Sequence, residues 1–177
     1  MNAMIEQTLS QVMQNIADAA KRHLQRQGHR NTGALEASMR TTVQRTATAV
    51  VGELQMYDYA FPLNYGVRPE RIPYTPGRSR AKTSKYIQGL KAYFQSKGLA
   101  DNSALRAAFA TARRHKIEGM PTTASRRFSQ TGRRTGFASE TLDDTLEKAV
   151  DTLTAAGARE LSAQIGKALV FQSFKVL

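Results

Sequence analysis

The sequence lacks several features on which whole classes of protein depend. It contains no cysteine among its 177 residues, which excludes a disulfide framework and a thiolate metal site and is typical of a reducing compartment such as the cytoplasm. No run of about 18 apolar residues occurs, so no transmembrane helix is expected. The first residues have no basic segment followed by an apolar stretch, so we expect no secretory signal.

Catalytic motifs are equally scarce. The nearest candidate is the segment "TPGRSRAKTS", but the two glycines that a phosphate-binding loop needs are replaced by Pro76 and Ala81. The only histidines, His23, His29 and His115, do not have the spacing of zinc ligands on one helix face. An acidic group resembles a solvated helix start more than a cation site: Asp143, Asp144, Glu147 and Asp151. We therefore expect no enzyme, no cofactor and no metal site.

Positive charge is concentrated in the middle of the chain. The net charge is +12, and the segment from Val67 to Gly136 holds 16 Lys and Arg against only Glu70, Asp101 and Glu118, a net +13. The rest of the chain holds 10 basic and 11 acidic residues. Such a block indicates an anionic partner, either nucleic acid or an acidic protein surface.

The first part of the chain predicts a helix, a short helix and a hairpin. Apolar residues recur at helical spacing over residues 4–27. A short helix follows, with Asn31 or Thr32 as its N-cap and Leu35 and Met39 on its buried side. Residues 40–56 are rich in Thr and Val and alternate with a period of two, which predicts a hairpin that turns near Thr46.

The remainder predicts two helices, an arginine-rich loop and the longest helix. One helix begins after a Ser84 cap and ends near Gly98, and the next begins after Asp101 or Ser103 and ends near Gly119. The longest helix covers roughly residues 140–168, and its apolar residues lie on one side: Leu142, Leu146, Val150, Leu153, Leu161 and Ile165. The expected fold class is α+β. A small antiparallel sheet is packed by N-terminal and long C-terminal helices, in a single domain (1–177) with a basic inserted arm and helical region over 69–137.

The candidate residues for the anionic partner belong to this insertion. They comprise two arginine pairs and three residues of the preceding loop: Arg126, Arg127, Arg133, Arg134, Arg78, Arg80 and Lys82. Phe128 and Phe137 could anchor the loop or stack on bases. No recognised DNA- or RNA-reading motif is present, so nucleic acid, an acidic protein and a solvated basic surface all remain open.

Two short segments carry a family resemblance. "NTGALEASMR" (31–40), followed by a Thr/Val hairpin that ends "VVGELQMYDYAFPLNYGVRP" (50–69), resembles the head–tail joining, or tail-completion, proteins of long-tailed bacteriophages. The matching positions are Thr32, Gly33, Leu35, Ser38, Val51, Gly52, Tyr59, Ala60, Tyr65 and Gly66. The family usually has an acidic residue before the last aromatic, where this chain has Asn64.

The resemblance implies a structural virion protein at the head–tail junction, assembled in the host cytoplasm. It implies a homo-oligomeric ring, often sixfold, whose partners are the neighbouring connector or stopper and tail-tube proteins, with possible contact to packaged DNA and none to a membrane. In this interpretation the aromatics of residues 59–65 pack on the hairpin, Gly66 turns the chain, and Pro69, Pro73 and Pro76 hold a stiff extended arm that reaches a neighbour. The alternative is a small basic DNA- or RNA-binding protein.

Overall fold

The computed structural model describes residues 3–29, 31–77 and 84–173. Its elements along the chain are α1 (Ala3–Arg26), α2 (Ala34–Ser38), β1 (Arg40–Arg45), β2 (Val50–Gln55), α3 (Ala60–Tyr65), α4 (Lys85–Ser96), α5 (Asp101–Glu118) and α6 (Phe137–Ser173). The predicted α+β class is confirmed: a two-stranded antiparallel sheet is combined with an N-terminal and a long C-terminal helix.

The chain divides into two compact units. The first unit consists of Met1–Ala60 and Gly136–Leu177, and the second unit consists of Phe61–Thr135. All 16 basic residues of the central block, and its three acidic residues, belong to the second unit. The second unit therefore carries a net +13 and the first unit a net −1.

Helix α1 organises the first unit because it packs on both strands and along α6. Its buried face contains Val12, Met13, Ala17, Ala20 and Leu24, which follow the predicted helical spacing. The helix lies close to the sheet at Gly52, where an added Cβ would be 2.7 Å from Met13 Cγ. A glycine on the inner face of β2 thus allows the helix and the hairpin to approach each other.

The hairpin has the predicted position and turn. Its register runs from Arg40 opposite Gln55 to Arg45 opposite Val50. Thr46 closes the turn twice, because its backbone N donates to Ala49 O at 2.8 Å and its Oγ1 accepts from Ala49 N at 3.0 Å. A threonine hydroxyl therefore stabilises a hairpin turn that lacks the glycine or asparagine of the commoner types.

Helix α6 is longer than predicted, with 37 residues. The side that it turns to α1 is made mostly of small and hydroxyl side chains, and Thr141 and Ala156 are buried there. Most of the predicted apolar side faces solvent instead. Helix α1 and helix α6 run antiparallel, since His23 lies beside Glu140 and Asp144 while Val12 lies opposite Thr152.

The second unit is built on the packing of α4 against α5. Its core contains Ile72, Tyr74, Ile87, Ala108 and Ala112. The predicted Ser84 cap is confirmed, because Ser84 Oγ accepts from Ile87 N at 3.2 Å. The predicted cap of α5 is wrong: the N-cap is Ala100, which places no side chain on the helix terminus.

The extended-arm interpretation is wrong for the stretch around Pro69 and Pro73. Pro69 opens a turn of 3₁₀ helix, Pro69–Arg71, and Ile72, only 2% exposed, lies with Tyr74 in the core of the second unit. Pro73 is exposed between these two core residues. The prolines thus shape a segment whose apolar side chains are already buried within its own chain. Pro76 is also exposed.

Candidate interaction surfaces

The two segments that carry the family resemblance meet at Ser38, the last residue of α2. Its Oγ donates to Leu35 O at 2.8 Å and accepts from the backbone N of Tyr57 at 3.2 Å. Leu35 is buried under this contact. One hydroxyl therefore joins the short helix to the segment that follows β2, which gives the spacing of the motif a physical reason.

The start of α2 differs from the prediction. The N-cap is Gly33, in the left-handed conformation with φ of 75°, and no side chain caps the helix. Thr32 is one residue too early to cap, so its Oγ1 accepts from Ala34 N at 3.3 Å and closes a local turn. Asn31 and Thr32 are therefore not the N-cap residues.

The aromatic turn is exposed and does not pack its rings on the hairpin as predicted. In α3 the buried positions are Ala60 and Asn64, four residues apart and so on one face of the helix. Phe61 and Tyr65 consequently occupy an outer face, where their rings stack with centroids 6.3 Å apart. Tyr65 is 76% exposed.

A second aromatic pair precedes α3. The rings of Tyr57 and Tyr59 lie with centroids 5.7 Å apart, and both residues are exposed. Partial burial, together with the neighbouring Tyr57, raises the pKa of the Tyr59 phenol. The segment 57–65 thus presents four aromatic side chains to solvent, which is typical of a protein contact.

A groove within the second unit is continuous with the Phe61–Tyr65 pair. It has a volume of about 550 Å³ and is lined by Phe61, Pro62, Tyr65, Gly66, Val67, Arg68 and Arg71. One lining residue, Val67, forms a two-residue bridge, in which Val67 N donates to Met120 O at 2.7 Å and Met120 N donates to Val67 O at 2.8 Å. As predicted, Gly66 turns the chain, with φ of 75°.

A row of exposed apolar side chains lies on α6, and we refer to it as the α6 stripe. Its members are between 51% and 60% exposed and recur at helical spacing: Leu142, Leu146, Val150, Leu161 and Ile165. Leu153, between them, is half-buried. At 1.5 Å per residue the stripe extends for about 35 Å, and nothing in the described part of the first unit covers it.

The exposed charge of the second unit is almost entirely positive. Two of its three carboxylates are taken up by ion pairs within the unit, Asp101 with Lys91 at 2.5 Å and Glu118 with Arg114 at 3.0 Å. Exposed basic residues are spread over its described surface: Arg68, Arg71, Lys85, Lys97, Arg106, Arg113, Arg114, Arg126, Arg127 and Arg133. Arg106 and Arg113, on α5, are not among the predicted site residues, because no motif in the sequence distinguishes them.

The two predicted arginine pairs have different environments. Arg126 and Arg127 are exposed in a turn of 3₁₀ helix, Thr123–Phe128, and the Arg127 guanidinium lies 4.8 Å from the centre of the Phe128 ring. Arg133 is exposed, but Arg134 is half-buried and its Nη1 donates to Ser125 O at 3.3 Å. Burial lowers the pKa of Arg134. Arg134 therefore supports the loop from inside, while Arg78, Arg80 and Lys82 lie outside the described residues.

The described residues were also compared with the requirements of a metal site and of a membrane-spanning helix. No group of three or more His, Asp or Glu side chains there has an arrangement that could hold a metal ion. Within the same residues, no helix has the length and apolar character to cross a membrane. In comparisons with known proteins, no family model, no curated protein and no solved structure matches the chain.

Proposed function

We propose that this protein is a structural subunit of a tailed-phage virion that assembles into a homo-oligomeric ring at the head–tail junction. The α6 stripe is the observation that carries the proposal. Exposed apolar patches of this extent are typical of protein–protein contacts. A helix that turns its hydroxyl side chains inward and its leucines outward is suited to a subunit that completes its packing in an assembly.

Ring closure needs two different surfaces on each subunit, because the same patch cannot serve both sides of a head-to-tail contact. The α6 stripe supplies one of them. The exposed rings of Tyr57 and Tyr59, which belong to the first unit, supply the other, since tyrosine is enriched at the centres of protein interfaces. In the proposed ring the stripe of one copy packs on the aromatics of the next.

The family resemblance supports the same function. Two of the matching residues, Leu35 and Ser38, are joined to the start of the second matching segment, because the Ser38 hydroxyl bonds to Leu35 O and to the backbone N of Tyr57. The one departure, Asn64, is buried, where an unpaired carboxylate would be costly. An amide can satisfy its hydrogen bonds there without a charge, so this departure is compatible with the fold.

The proposed partners are the proteins above and below the ring, namely the connector or stopper and the tail tube. The second unit differs from the first in charge and forms a compact body of its own. We assign it contacts outside the subunit–subunit interface, so that the ring and its outward contacts depend on different residues.

The mass of the assembled protein tests the ring. Native mass spectrometry of the wild type should give one closed oligomer, and the double variant L146E/V150E should be monomeric, because two carboxylates would be buried in the contact. The control A155E/R159Q changes the net charge by the same amount at exposed positions of α6 that are not three, four or seven residues from any member of the stripe, and it should assemble normally. A monomeric wild type, or assembly of both variants, would contradict the proposal.

The location is tested in particles. Purified phage from the source organism should contain the protein at a few to a dozen copies per particle, as measured by mass spectrometry of whole particles and of separated heads and tails. In the separated fractions the protein should be found with whichever part carries the head–tail junction. Absence from the particles, with abundant protein in the infected cell, would exclude the virion role.

A further inference from the structure

We infer that the second unit binds nucleic acid through the phosphate backbone, without reading sequence. Such binding follows from the charge and geometry of this unit alone and does not depend on the proposed ring. The proposed function assigns this unit outward contacts but does not account for its charge, and the inference supplies a ligand for that charge.

Charge is strongly unbalanced within this one compact body. Asp101 and Glu118 are held in internal ion pairs, so Glu70 is the one carboxylate of the second unit that has no ion-pair partner among the described residues. The remaining basic side chains repel one another, and self-repulsion of this kind destabilises a compact state. Binding of a polyanion would relieve that repulsion over the whole basic surface. A small number of carboxylates on a protein surface would relieve it only locally.

Helix α5 presents three arginines outward, Arg106, Arg113 and Arg114, while Lys116 Nζ donates to Ile72 O at 3.3 Å. Its buried face consists of the alanines Ala104, Ala108 and Ala112. Arg106 and Arg113 are seven residues apart, on one line of the helix and about 10 Å apart along its axis. The small side chain of Ala110 lies between them. The two guanidinium groups can therefore reach phosphates on one strand, which repeat about every 3.4 Å along the duplex axis.

The chemistry of the basic side chains also favours phosphate. Eleven of the 16 are arginine, whose planar guanidinium forms paired hydrogen bonds to phosphate. Arg126 and Arg127 lie next to Phe128, which is 61% exposed and has the Arg127 guanidinium over its ring. An aromatic ring beside arginines offers both stacking and charge, a combination that nucleic acids use and acidic protein surfaces do not require.

The experiment measures binding of the full chain to a labelled duplex and to a labelled single strand of arbitrary sequence. Fluorescence anisotropy between about 50 and 200 mM salt gives the slope of log affinity against log salt, near −0.9 per phosphate on duplex and −0.7 on single strands. Comparison of the two probes identifies which form of nucleic acid supplies the phosphates. Binding to arbitrary sequences with a steep slope is the expected result.

Two double variants localise the contact. R106Q/R113Q and R126Q/R127Q should each weaken binding and flatten the duplex slope by up to about 1.8, the value for two lost phosphate contacts. The matched control R40Q/R159Q removes the same charge from exposed positions of the first unit and should retain the wild-type slope. Circular dichroism should show all three folded, because the substituted side chains are exposed.

Three outcomes would overturn the inference. The first is no binding to either probe at about 50 mM salt, and the second is equal slopes for the second-unit variants and the control. The third is displacement of the labelled strand by poly-glutamate as efficiently, per charge, as by unlabelled DNA, which would assign the surface to an acidic protein. The monomeric variant L146E/V150E should still lose affinity when R106Q/R113Q is added, so failure of the ring and failure of this inference are distinguishable.

Discussion

Ser38 and Tyr57 are joined by a hydrogen bond across 19 residues of sequence, with the backbone N of Tyr57 donating to Ser38 Oγ at 3.2 Å. The same hydroxyl donates to Leu35 O at 2.8 Å. It thereby bonds both to the backbone of α2, at Leu35, and to the segment that leads into the exposed aromatics. The position of Tyr57, and with it the start of α3, depends on the short helix that precedes the hairpin, since the pairing of Arg40 with Gln55 brings the two ends of the hairpin together.

Replacement of this serine should loosen the aromatic segment. S38A should lower the free energy of unfolding by about 1 kcal/mol, because a backbone donor and a carbonyl acceptor both lose a partner. The control S10A, on the exposed side of α1, should be neutral or slightly stabilising. Denaturant unfolding measures both, and equal effects would contradict the role assigned to Ser38.

The turn at Gly66 should tolerate no side chain. Its φ is +75°, and an added Cβ would lie 2.6 Å from Met120 O, the acceptor in the Val67–Met120 bridge. G66A should therefore cost more than G132A, which has a similar backbone conformation but open space around it. We expect G132A to lower the free energy of unfolding by about 1 kcal/mol and G66A to lower it by at least about 1 kcal/mol more. Thermal unfolding measures both losses.

The α1–α6 contact should depend on one of two adjacent aspartates. His23 is buried, and its Nε2 lies 2.8 Å from Asp144 Oδ2, while Nδ1 is 3.2 Å from Glu140 Oε2 in poor hydrogen-bond alignment. D144A should lower stability by about 1 kcal/mol, a modest value because this carboxylate is 60% exposed and screened by solvent. D143A, one residue away and exposed, should change stability little. Equal losses would show that His23 does not hold the two helices together.

The stability of the second unit should fall as the pH is lowered below neutrality. Burial lowers the pKa of His115 from its ordinary value of 6.5, against a smaller opposite effect of Glu118. As the pH falls, His115 is therefore protonated at a higher pH in the unfolded chain than in the folded chain. The contribution of neutral His115 to the free energy of unfolding is complete above about pH 6.5 and is lost as the pH falls below that value. H115N should flatten the pH dependence of unfolding between about pH 7.5 and 5.5 relative to the wild type.

The partner of His115 predicts a change at the alkaline end. Tyr86 Oη lies 2.6 Å from His115 Nδ1, and burial raises the pKa of Tyr86 to about 12. The pKa of Tyr86 in the folded protein is above its unfolded value of 10.0. The contribution of the neutral phenol to the free energy of unfolding is therefore complete below about pH 10 and decreases as the pH rises toward 12. Y86F should remove that decrease, as followed by the change in unfolding midpoint with pH. An unchanged alkaline decrease in Y86F would assign it to other groups.

Features set by neighbouring residues could be predicted from the sequence. The hairpin follows from its Thr and Val alternation, and the Ser84 cap follows from a hydroxyl three residues before Ile87. The α2 cap could not be predicted, because Gly33 and Thr32 compete for adjacent positions and only the backbone conformation decides between them. Local patterns thus predict where elements lie but not which of two neighbours ends them.

Features that depend on distant residues could not be predicted. Periodicity places Leu142 and Leu146 on one side of α6, but it does not say which side meets α1, and the threonine side does. In the same way Arg133 and Arg134 look alike in sequence, yet Arg134 is the one that turns toward a carbonyl, Ser125 O. The contact of His23 with Asp144 spans 121 residues and leaves no trace in local spacing.

The division of the chain has a consequence for its synthesis. The second unit is continuous in sequence, whereas the first is split around it, so α6 is made after the second unit. At ordinary translation rates of about 5–20 residues per second, α1 and the hairpin leave the ribosome several seconds before the helix that completes them. The second unit can therefore fold while the first unit is still incomplete. The part of α1 that packs on α6 stays uncovered by it until α6 has left the ribosome.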